Sequence, residues 1–104
     1  MRAKVFAVDS MQRAEVDMVR ASTFRQCGDG HQEATLLDKA MRRLSGVQDD
    51  DILARLHLSQ GACSWSNGDL QASQSHYKQA AEHAERASSL ATLGRALVGR
   101  GVVA

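Results

Sequence analysis

The chain has 104 residues, 43% hydrophobic and 24% charged, with a formal net charge of +1. That length holds one domain with a modest core, and that balance excludes an unfolded polar tail and leaves no single-sign field to draw nucleic acid. With no proline, 8 glycines and 4% aromatics among many alanines, the composition favours long, closely packed helices over β-sheet.

The first nine residues show no clear period, and Asp9 and Ser10 offer an N-cap. From there Met11, Ala14, Met18 and Ala21 follow helical spacing, widened by Val16 and Val19 and extended by Phe24 and Cys27. Gly28 supplies a C-terminal stop, Asp29 caps the next helix, and Gln32 stands where a capping box has its second member. The second helix carries Ala34, Leu37, Ala40, Met41 and Leu44 on one side and breaks at Ser45-Gly46-Val47-Gln48. The acids Asp49, Asp50 and Asp51 read as a cap with dipole-complementing neighbours, because adjacent helical residues point in different directions and do not converge on a metal.

In the third helix Ile52, Leu56 and Cys63 form one line and Leu58, Ala62 and Trp65 another, so this helix is expected to pack on two sides. Asn67-Gly68-Asp69 ends it and caps a fourth, whose stripe is Leu70, Ser73, Tyr77, Ala80 and Ala84. A fifth helix follows on Leu90, Leu93, Gly94, Leu97 and Val98 and is expected to stop near Gly99-Arg100-Gly101. Short turns between helices make antiparallel hairpins. The turn of the second hairpin, at Gly68, lies 40 residues after that of the first, at Gly28, and the excess over a shorter repeat is assigned to the 45–51 connection. Gly61 to Gly94 and Gly68 to Gly101 each span 33 residues.

Gly68-Asp69-Leu70 followed by Ser73, Tyr77 and Ala80, the small Gly61, and Leu93-Gly94 with Leu97 and Gly101 resemble the tetratricopeptide repeat family. The resemblance spans roughly residues 10–104, and residues 54–87 match best. It departs from the family at His57, where a bulky residue such as Trp is usual, at Ser64, where an aromatic is common, and in having no proline to close a repeat. These departures leave room for looser tetratricopeptide-like arrays, such as the helical repeats of large bacterial regulators or of small secretion chaperones. The expected fold is all-α: antiparallel αα-hairpin repeats, about five helices, a fragment of a right-handed superhelical array. It forms one domain, with hairpins at 10–45 and 50–87 and a partial third at 88–104. Because Gly101-Val102-Val103-Ala104 stands where a sixth helix would begin, the chain is expected to be a piece of a longer protein or to pack its last helix on another chain.

The resemblance also implies a concave groove lined by the first helix of each hairpin. Carried over by position, it offers Met18 and Arg25 (with Glu15 and Ser22), then Arg55, Leu58, Ala62 and Trp65, then Arg95 and Val98 (with Ala91). Arginines fork onto carboxylates and a tryptophan anchors an interface, although Trp65 reads equally well as core. The expected function is a protein–protein interaction module that binds a peptide or helix of a partner protein, as part of a larger scaffold or regulator. The alternative is a self-associating or chaperone-type subunit that forms a homo-oligomer through the C-terminal helix. A nucleic-acid-binding helical domain would need basic side chains converging on one face. Arg86, Arg95 and Arg100, in a stretch without acids, read instead as a solvated face, so no nucleic-acid partner is expected.

No enzyme, cofactor or metal is expected. There is no HExxH, paired CxxC or phosphate loop, and His31, His57, His76 and His83 read as surface imidazoles. Cys27 and Cys63 read as buried or half-buried reduced thiols, with a disulfide left open. The apolar Val5-Phe6-Ala7-Val8 is too short for a signal-peptide core and no run approaches a membrane span, so the expected location is cytoplasmic with no membrane partner.

Overall fold

A computed structural model describes the backbone of residues 2–103 and the side chains of residues 9–101. The described chain is all-helical: α1 (Arg2–Gln26), α2 (Gly30–Arg43), α3 (Asp50–Ser66), α4 (Leu70–Arg86) and α5 (Leu90–Val103). It divides between Gln48 and Asp49 into two compact units, a hairpin of α1 and α2 and a three-helix unit of α3, α4 and α5.

Three of the turns share one construction. The Gly28, Gly68 and Ser88 amides each bond back three residues (to the Arg25, Trp65 and Glu85 carbonyls), and the Asp29, Asp69 and Ser89 amides bond back five (to Phe24, Ser64 and Ala84). This is the Schellman closure, which needs its first residue in the left-handed region. Gly28 and Gly68 take it at φ 79° and 80°, and the third turn places Ser88 there at φ 56°. Asp29, Asp49 and Asp69 then cap α2, α3 and α4, their carboxylates accepting from the Gln32, Ile52 and Ala72 amides. The Asp29 amide is taken by Phe24, so Gln32 does not complete a capping box.

Three corrections follow. α1 is already helical at Arg2, so Asp9 and Ser10 are interior residues; Asp9 pairs with Arg13 one turn on and Ser10 is buried. α5 continues through Gly99-Arg100-Gly101 to Val103 instead of stopping there. The 33-residue spacing joins non-equivalent positions, since Gly68 lies in a turn and Gly101 inside a helix. Helices α2 to α5 begin at residues 30, 50, 70 and 90, so the hairpin period is 40 and no excess is absorbed between residues 45 and 51.

In the first unit the buried apolar residues are Ala14 and Ala21 of α1, Leu36, Leu37 and Ala40 of α2, and Leu44. Buried among them are two acids, each answered across the hairpin: Asp17 by Arg43 at 2.8 Å, and Glu33 by Arg25. In the second unit α4 packs on both α3 and α5, and α3 also touches α5. Ile52, Ala54, Leu56 and Cys63 are buried on α3, and Ser73, Tyr77, Ala80, Ala81 and Ala84 on α4. Leu70, expected in that stripe, is half exposed in the first turn of α4.

Small residues bring these helices close. A Cβ added at Gly61 would stand 3.0 Å from the Tyr77 ring, and one added at Gly99 would stand 2.6 Å from it. The ring therefore rests on a glycine of α3 and a glycine of α5. Beside it the Ser73 hydroxyl donates to the Gly61 carbonyl at 2.8 Å, a buried bond across the hairpin. α5 meets α4 through Ala96, which clusters with Ala80 and Ala81, while Leu58 and Leu93 pack at the margin.

Candidate functional site

The face of α5 turned away from this packing is apolar. Leu90 is 81% exposed, Val98 67% and Leu97 51%, whereas Thr92 and Ala96 are buried. Leu90, Leu97 and Val98 thus point outward while Leu93 packs at the margin, because a helix that approaches α4 closely at Ala96 and Gly99 has no room for large side chains there. Gly94 and Gly101 meet nothing within contact distance of an added Cβ. Residues 90, 94, 97 and 101 fall on one side of a helix at steps of four, three and four, which places the two leucines and these two glycines along a single seam. α5 carries Arg95 and Arg100 and no acid.

The groove residues expected from the resemblance are differently placed. In the first unit Met18 is half-buried, and the Arg25 guanidinium is bound to Glu33. On α3, Arg55 is half-buried and pairs with Asp51 at 3.5 Å, Leu58 is drawn against Ala80, Ala81 and Ala96, and Ala62 is half-buried. Trp65 is 43% exposed at the end of α3, and Arg95 and Val98 are exposed on α5. In the first unit a cleft of about 390 Å³ is lined by Asp9, Arg13, Asp17, Arg20, Lys39 and Arg43 among others. Asp9 and Asp17 there already bind Arg13 and Arg43.

Three of the four histidines form a cluster instead of the separate surface imidazoles expected from the sequence. The buried His57 of α3 stacks between His76 and His83 of α4, with ring centroids 5.4 and 5.6 Å away and interplanar angles of 28° and 3°. His57 Nδ1 lies 3.1 Å from His76 Nδ1, so one of the two carries the shared hydrogen. His83 Nδ1 lies 2.7 Å from the Asp50 carboxylate, which Arg86 approaches at 3.7 Å. Burial first, then the neighbouring His76 and His83, push the His57 pKa down from 6.5 to about 4. Among the described residues no group of three or more His, Cys, Asp or Glu is arranged to hold a metal ion.

Both thiols are free, Cys63 buried and Cys27 exposed, so the expectation of a sheltered thiol fails at Cys27, near the C-terminal end of α1. Among the described residues no helix is long and apolar enough to cross a membrane. Compared with protein-family models, curated proteins and solved structures, the chain matches none.

Proposed function

We propose that the chain is a protein–protein interaction module whose binding face is the outward side of α5, and that its ligand is an amphipathic helix or apolar peptide of a partner protein. The observation that carries this reading is the exposure of Leu90, Leu97 and Val98 together on one 14-residue helix. Large apolar side chains gathered on one exposed face mark a docking surface, whereas scattered ones do not. Arg95 and Arg100, with no acid on the helix, favour a partner bearing acidic residues beside its apolar stripe. Arg55, Leu58, Ala62 and Trp65 of the second unit, and separately Met18 and Arg25 of the first, are the positions at which the tetratricopeptide resemblance implies partner contacts. These residues are proposed as a secondary contact, since Arg25, Arg55 and Leu58 are already engaged.

A second reading, self-association, has its own observation. Laid antiparallel on a copy of itself, the α5 seam sets Leu90 against Gly101 and Leu97 against Gly94, each leucine over a gap. Light scattering of the full chain over a concentration series separates the two readings, a monomer favouring a foreign partner and a dimer favouring self-association. The primary reading is tested with a displayed library of helical peptides selected on the full chain. Selected peptides are expected to bind Leu97→Asp at least about tenfold more weakly than wild type, and equal binding to both would sink the proposal. Membership of a larger scaffold or regulator is part of the proposal.

A further inference from the structure

The histidine cluster lies on the packed surface between α3 and α4, apart from the outward face of α5. It places three titratable rings in one row, the middle one buried. We propose that the His57–His76–His83 stack is a pH-sensitive latch between α3 and α4, holding the hairpin closed while its central ring is neutral and loosening it when acid charges the stack.

The groups around the central ring are these. From α4, His76 and His83 face its two sides. From α3 itself, Asp50 meets the row at His83, and Asp51 is paired with Arg55. Arg86 of α4 approaches Asp50. The titratable side chains of α5, Arg95 and Arg100, are exposed. Of the three rings, His83 has a carboxylate at hydrogen-bond distance, whereas among the described residues no carboxylate contacts His57.

The chemistry of the Nδ1–Nδ1 contact gives the latch its sense. Two neutral imidazoles share one hydrogen, one ring donating and the other accepting. A proton added to His76 preserves the contact, because imidazolium Nδ1–H still donates to a neutral His57. A further proton on His57 turns both nitrogens into donors facing each other at 3.1 Å, and the bond is lost. That second charge would also stand 5.6 Å, centroid to centroid, from the His83 ring with no carboxylate of its own. Histidine is the side chain suited to such a change near neutral pH. Because α4 also carries α5, a loosened α3–α4 hairpin loses part of the support under the proposed binding face.

The sign follows from linkage. Above pH 6.5 both folded and unfolded chains leave residue 57 neutral, and it contributes no pH dependence. Below that, the unfolded chain takes up a proton that the folded chain refuses until about pH 4. The unfolding equilibrium should therefore shift by up to about tenfold per pH unit, or roughly thirtyfold at pH 5.

The experiment is urea unfolding of the full chain at pH 7.5 and pH 5.0, wild type against His57→Gln, with hydrogen exchange reporting on the α3 and α4 amides. Wild type is expected to lose roughly thirtyfold more in folding equilibrium than the variant, with the loss in α3 and α4. Equal losses in the two proteins would overturn the latch. If His57→Gln does not fold, ring titration by NMR in wild type and His76→Gln decides. A His57 midpoint well below 6.5 that rises in His76→Gln supports the proposal; a midpoint at 6.5 or above, or one unmoved by that substitution, rejects it.

Discussion

The α1–α2 and α3–α4 hairpins are closed by the same turn and differ in what they bury between their helices. Gly28-Asp29 and Gly68-Asp69 make the same backbone bonds and the same caps, 40 residues apart. Across the first hairpin, buried Asp17 and Glu33 meet Arg43 and Arg25. Across the second, the buried contacts are neutral (Tyr77 on Gly61, the Ser73 hydroxyl on the Gly61 carbonyl, and one imidazole on another), and the carboxylate contact, Asp50 with His83 and Arg86, lies at the more exposed margin. The turn thus fixes only that two helices run antiparallel and close. What crosses between them is decided by the side chains at the facing positions, and this sets how each hairpin answers to mutation and to acid.

The largest expected effect strikes the neutral hairpin. Tyr77→Ala should cost about 3–5 kcal/mol, since it empties the space between Gly61 and Gly99. Gly99→Ala alone should cost about 1–3 kcal/mol by forcing the ring aside, and should become nearly neutral in the Tyr77→Ala background. Urea unfolding of the four proteins of that cycle measures the coupling, and simple additivity would mean that the ring and the glycine do not meet.

The charged hairpin should break asymmetrically. Arg25→Met leaves a Glu33 carboxylate whose side chain is only 2% exposed, and should cost about 2–4 kcal/mol. Glu33→Gln leaves an arginine 39% exposed that can turn to water, and should cost about 1 kcal/mol. Hydrogen exchange at the α1 and α2 amides locates the loss, and equal costs for the two variants would show that burial does not govern the pair.

Removing the shared caps should abolish the contrast. Asp29→Ala and Asp69→Ala should each cost about 1 kcal/mol, equal within error, because both carboxylates hold one amide in the same geometry. The smallest effect is expected on α5. Leu97→Asp should change stability by at most about 0.5 kcal/mol in thermal unfolding while removing peptide binding; a large loss of stability would mean that the α5 face belongs to the core.

The turns were the most legible part of the chain, because a glycine followed by an aspartate meets two local demands, a positive φ and an N-cap acceptor, that need no knowledge of the rest. The start of α1 was misread because Asp9 and Ser10 permit a cap without enforcing one. With no proline or glycine before them, and with Arg13 in reach of Asp9, they sit comfortably within the helix. On α5, hydrophobicity pointed to the leucines, but close approach selected Thr92, Ala96 and Gly99, and size complementarity to Tyr77 cannot be seen in a single helix. The histidine row did leave a signal. Reflecting the second hairpin about Gly68 lays residue 57 opposite residue 79, between His76 and His83. Taken one helix at a time the three imidazoles have ordinary spacing, and their meeting is a property of the pair.

The third turn repeats the construction of the other two with Ser88 at the position where they have glycine. A side chain in the left-handed region carries a conformational penalty of roughly 1–2 kcal/mol, so this joint is held by its surroundings more than by its own preference. α5 lies beyond that joint with Leu90, Leu97 and Val98 in water. Pulled from its C-terminal end, the chain would therefore be expected to yield there first, shedding one helix while the α3–α4 pair stays folded, and Ser88→Gly would raise the force at which it does so.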